Sequence, residues 1–170
     1  MSRVSSGLSE GSSMMVRWQR LAWGAASGAL ATVAMSAVMG AAQRLGWLGR
    51  MPPKIITRAA FNHVGVDRSR PAENAGATVA HFAFGAVGGG LYGALRPLRA
   101  RTSPLQGVVY GTLIWLVSYA GWVPALRIMP PPQRDRPGRV PSMLAAHWVY
   151  GAVLDALLAR VSRVPHRRRS

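Results

Sequence analysis

One eight-residue phrase occurs twice in this chain, each time inside an apolar segment. Residues 80–87, AHFAFGAV, are echoed by residues 146–153, AHWVYGAV; five of the eight positions are identical and two more exchange one aromatic for another. Upstream, Gly24-x-x-x-Gly28 is matched by Gly107-x-x-x-Gly111, and Met51-Pro52-Pro53 is matched by Met129-Pro130-Pro131. The order is the same in both halves, which reads as a tandem duplication of a two-helix unit.

The segments that carry these phrases are long and almost free of charge. They cover residues 21–42, 75–95, 104–126 and 140–159, and Asp155 is the only charged residue in them. Each is long enough to cross ~30 Å of hydrocarbon at ~1.5 Å per residue. Backbone groups in lipid must bond within their own segment, so helix is the expected state. The expected fold is therefore all-α: a polytopic membrane protein of four transmembrane helices in two parallel two-helix repeats. A polar tail over residues 1–20 is expected to be disordered, the transmembrane domain to occupy 21–162, and a basic tail to follow at 163–170.

The formal net charge of +16 first suggests nucleic acid. The distribution argues against it, because the arginines flank the apolar segments, where their heads meet lipid phosphates and their stems cover apolar surface. The expected partners are the bilayer and its anionic headgroups, with no nucleic acid. Cysteine is absent, so no disulfide, thiol nucleophile or thiolate metal site is available.

Four spans place both termini on one side. Lys and Arg are nearly balanced, 11 on the terminal side against 10 opposite. The short Arg-rich loop at 96–101 inclines the orientation toward cytoplasmic termini. Between the first two spans, Pro52 and Pro53 suit a first helical turn, and Ile55, Ile56, Ala59, Ala60 and Val64 fall largely to one side. Residues 53–64 are expected to form a helix at the membrane surface. The second half lacks this insert.

Within the second span, His81, Gly85, Gly89 and Gly93 recur every four residues; in the fourth, His147, Gly151 and Asp155 do the same. Such positions share a helix face, and glycine there lets a neighbouring helix approach closely. Gly24, Gly28, Gly107 and Gly111 are likewise expected at helix-packing positions. Both histidines are thus expected on packing faces, at similar depth, near the side of the long loop. Their plainest role is interhelical hydrogen bonding. The sharper one is a proton-sensitive or ligand-binding pair in a central cavity. Two histidines are too few for a metal site, and none is expected.

Asp155 is costly in lipid, so it is expected to reach the interface and pair with Arg160, Arg163 or the 96–101 loop. A relay with His147 would need an intermediate group, because eight helical residues span ~12 Å. No Gly-x-Ser-x-Gly, paired carboxylates, His-Glu-x-x-His or phosphate loop is present. No catalytic residue and no cofactor is expected.

Over roughly residues 78–160 the chain resembles the YagU-type family of small bacterial inner-membrane proteins. The shared features are His81 with Tyr92 eleven residues on, Leu105-Gln106-Gly107 opening a span that runs to Pro130-Pro131, and His147 with Asp155 eight residues on. The resemblance implies a multi-pass protein of the bacterial inner membrane and adds no mechanism. The expected function is a structural or accessory four-helix bundle without chemistry of its own, with room for a homo-oligomer. The alternative is a small proton-linked transporter or channel component that uses His81, His147 and Asp155.

Overall fold

The computed structural model describes residues 4–65, 69–96 and 103–162. Five helices of at least three turns dominate: α1 (Val4–Arg44), α2 (Pro52–Val64), α3 (Arg70–Leu95), α4 (Pro104–Val117) and α5 (Arg139–Ser162). No strand occurs among the described residues. A π turn, Ser118–Trp122, and a final helical turn, Val123–Ala125, carry α4 onward as one span, Pro104–Ala125. Four helical segments are long and apolar enough to cross a membrane: Arg17–Arg44, Arg70–Leu95, Pro104–Ala125 and Arg139–Val161.

Local chemistry sets the boundaries. Proline opens α2, α3 and α4, where a missing N–H costs nothing. Ser69 and Ser103 cap α3 and α4 by accepting from the amides of Ala72 and Gln106. Gly65, at φ 70°, ends α2 in the left-handed conformation that glycine adopts without strain. Pro124 lacks an amide and would crowd the carbonyl four residues back, and the wider π turn just before it relieves both.

One boundary departs from expectation. α1 begins at Val4, so most of the polar stretch expected to be a disordered tail lies within the helix. That stretch contains no proline, and a span already formed extends upstream at one hydrogen bond per residue. The basic tail at 163–170 and the loop at 97–101 lie outside the described residues.

The four spans lie side by side in the order α3, α1, α5, α4, and α2 packs on α3. Two seams, α1–α3 and α4–α5, are the helix pairs seen in the sequence. The third, α1–α5, joins them. No seam of comparable extent joins α3 to α4. Around the perimeter, Leu30, Val33, Val79, Val87, Leu113 and Leu116 are exposed, the arrangement lipid favours.

Glycine governs both hairpin seams. A Cβ at Gly24 or Gly28 would collide with the backbone of Gly89 or Gly85 across α1–α3. Across α4–α5, Gly107 abuts the carbonyl of Gly151, and Gly111 abuts that of His147. Gly93 meets the backbone of Arg20. The two pairs are built alike yet differ by one helical turn. With Gly24 matched to Gly107, the partner of Gly107 should correspond to Gly89; it is Gly151, the sequence counterpart of Gly85. Helix α3 offers three glycines at this spacing, whereas α5 offers only Gly151, which is drawn between Gly107 and Gly111.

Candidate functional site: a histidine-lined cavity

Closing the hairpins through glycine fills the half of the bundle near the termini. The half near α2 holds larger side chains, and there a partly open cavity of about 210 Å³ remains. Its walls come from α1 at Thr32, Met35 and Met39, from α3 at residues 80–88, and from α5 at Met143, His147 and Tyr150. The π turn supplies Ser118, Tyr119 and Trp122. α2 closes the end with Pro52, Pro53, Ile56 and Thr57. Ala80 and Phe84 line the cavity and are themselves exposed, so the cavity reaches the lipid-facing surface on α3.

Both predicted histidines line this one space. His147 is buried, at 4 % exposure, and its Nδ1 lies 2.7 Å from the carbonyl of Met143. A carbonyl only accepts, so Nδ1–H is the donor and Nε2 is left as an acceptor. His81 Nε2 is buried without a hydrogen-bond partner, and so is the Thr57 hydroxyl oxygen. The rest of the lining is mainly apolar, and it contains no Asp, Glu, Lys or Arg.

Two tyrosine hydroxyls pin α3 to the opposite hairpin at the cavity floor. Tyr150 donates to the carbonyl of Gly85, and Tyr110 to that of Gly88, both at 2.6 Å. Gly88 therefore belongs to the cavity, whereas Gly89 and Gly90 pack against α1. Thr112 accepts from the Trp148 indole at 2.9 Å, tying α4 to α5. Ser118 donates to its own helix at Ile114, and Gln106 is exposed.

Asp155 is not part of the cavity. It is fully buried toward the terminal side, where Tyr92 donates to it at 2.7 Å, the Ser103 amide at 3.0 Å, and Arg96 pairs with it at 3.2 Å. The carboxylate finds its partners inside the bundle, and one of them, Arg96, comes from the 96–101 loop named among its expected partners. The structure thus brings His81 and His147 together and places the third predicted residue in a separate cluster.

Sequence reasoning missed a matching cluster at the other end. Asp135 accepts from the Tyr119 hydroxyl at 2.5 Å and from Arg139 at 2.8 Å. The same guanidinium donates Nε and Nη2 to the carbonyl of Leu48, at 2.9 and 2.8 Å. A further carboxylate, Glu73, pairs with Arg58 of α2 at 2.8 Å. Tyrosines within apolar runs give little sequence signal of such roles. Gly121 and Pro124, so close together within a span, are the signal from which the irregular backbone that places Tyr119 could have been found. Among the described residues, no group of three or more His, Asp or Glu is placed to hold a metal ion.

Comparison with curated proteins and with solved structures gives no match. A family match covers residues 18–169 and carries no link to the YagU-type family. The chain belongs to the family of unknown function DUF6789.

Proposed function

We propose that the protein is a membrane-embedded binding protein that holds one small, largely apolar molecule between its helices and performs no chemistry on it. The observation that carries this reading is the apolar cavity of about 210 Å³. An apolar cavity of ~150 Å³ suffices to take up benzene. A bundle with a purely structural role has reason to fill such a void with its own side chains, since the lining of an unfilled space forfeits packing contacts. A proton-linked transport reading draws on the same two histidines. It has less support, because Asp155 is committed to Tyr92, Ser103 and Arg96 and lies outside the cavity. A bacterial inner-membrane location with cytoplasmic termini accompanies the binding reading.

The test is titration of the protein in lipid nanodiscs with 4-propylanisole, followed by tryptophan fluorescence, since Trp122 lines the cavity. Saturable quenching is expected, and Ala80→Phe at the mouth should weaken it. A linear response, equal in the variant, is simple partition into lipid and would overturn the proposal.

A further inference from the structure

We infer that the molecule held in this cavity is neutral and carries a hydroxyl group, which it donates to Nε2 of His147. This inference rests on the binding role proposed above and adds the chemical class of the ligand.

The polar atoms of the wall exclude the other ligand classes in turn. The lining holds no charged side chain, so a buried ion would find no counter-charge there. A pure hydrocarbon would leave the Thr57 hydroxyl and His81 Nε2 unpartnered, although both are buried at the cavity wall and Thr57 is only 5 % exposed. Folded proteins rarely keep such atoms unsatisfied. A ketone, ester or ether offers only acceptors. It would set a lone pair against Nε2 of His147, whose Nδ1 already holds that ring's proton against Met143. A hydroxyl resolves the conflict, because it donates to Nε2, and a small shift of the Thr57 or His81 side chain toward the cavity would let it also accept.

Size and access agree with this class. The volume suits roughly ten heavy atoms, somewhat more than the benzene that fits ~150 Å³. The exposed Ala80 and Phe84 give the ligand a route from the bilayer itself, where a weakly polar alcohol or phenol concentrates. Phe84, Tyr119 and Trp122 offer aromatic walls.

Two matched pairs of probes test the assignment in nanodiscs: 4-propylphenol against 4-propylanisole, and 1-octanol against its methyl ether. Within each pair only the donor is lost. Affinities are corrected for partition into protein-free nanodiscs. A preference of about tenfold for the hydroxyl compound is expected, corresponding to ~1.4 kcal/mol. Preference in one pair or both supports the assignment, and the pattern tells an aromatic from an aliphatic ligand. Equal affinity within both pairs overturns the donor assignment while the binding role stands. Saturable binding by none of the four probes overturns the binding role, and the inference with it. His147→Phe should bring the preference close to one while retaining the ethers. Should that variant fail to fold, nitrogen NMR of labelled histidine in the native chain decides. The His147 Nε2 resonance should be that of an unprotonated nitrogen and should move with phenol but not with anisole; a protonated Nε2 would overturn the assignment.

Discussion

Tyr92 donates a 2.7 Å hydrogen bond to Asp155, joining α3 to α5 at a carboxylate fully shielded from solvent. Arg96 and the Ser103 amide complete the cluster, which fills the terminal end of the bundle beyond the cavity. Tyr119, Asp135 and Arg139 repeat the arrangement at the opposite end. In each, a tyrosine and an arginine share one acid, and the acid lies near an end of α5.

Removing one partner of a buried pair strands the other, at a cost of ~3–5 kcal/mol. Asp155→Ala should therefore lower thermal stability in detergent far more than Arg58→Ala does. The Arg58 side chain is 43 % exposed, so its pair with Glu73 is worth at most ~1 kcal/mol. Replacing Arg96 and Asp155 together by Met and Leu should recover part of the loss, because no charge is then left alone. A double variant as unstable as the two single losses added together would show that the pair is not coupled.

Arg139 is expected to resist conservative replacement. Its fork places two donors on the Leu48 carbonyl while a third serves Asp135. A lysine ammonium cannot span both partners in that geometry. Arg139→Lys should free the turn between α1 and α2, raising proteolysis there before global unfolding begins. Cleavage kinetics identical to those of the native chain would refute the anchoring role.

Glycine substitutions should divide sharply by position. A Cβ at Gly151 would strike the Gly107 backbone, whereas at Gly40 it would meet nothing within 4 Å. Gly151→Ala should thus prise α4 from α5 and lower the unfolding temperature. Gly40→Ala should be neutral or stabilising, by up to ~1 kcal/mol of helix propensity. Equal effects at the two sites would show that close packing across the seam is not what limits stability.

Much of this architecture was legible in the chain. The four spans follow from the length and charge-free character of their segments, and the glycine spacing gave the faces that meet. The shared four-residue step also carried His81 and His147 to one cavity. Their relative register was not legible. Matched phrases put histidine and glycine at like positions in α3 and α5, but the closest approach falls wherever glycine permits, and α5 has Gly151 where α3 has Gly85, Gly89 and Gly93. The cavity itself was hidden for a related reason. It depends on α3 and α4 not closing on each other, and on α2, an insert in the first half alone, covering one end. The partners of Asp155 were equally obscure, since Tyr92 and Ser103 lie more than fifty residues away and look like ordinary span-end residues.

The weakest boundary of the cavity is the line between α3 and the α4–α5 hairpin, and two hydroxyls hold it. Tyr110 of α4 and Tyr150 of α5 each donate 2.6 Å bonds to carbonyls of α3, at Gly88 and Gly85. Those carbonyls also serve their own helix, so loss of a hydroxyl deletes a tie without breaking α3. Each bond contributes ~0.5–1.5 kcal/mol, and phenylalanine preserves the ring packing. The Tyr110→Phe, Tyr150→Phe double variant should therefore remain folded, with stability lowered by ~1–3 kcal/mol. Its distinctive effect should be on access. With α3 free to move from α4, 4-propylanisole should enter and leave faster, at little cost in affinity. Stopped-flow tryptophan quenching in nanodiscs measures both rates. Faster exchange with an intact fold would identify this seam as the entrance from the bilayer. Unchanged exchange rates would place the entrance elsewhere, with the cover formed by α2 at Pro53 and Ile56 as the remaining wall to open.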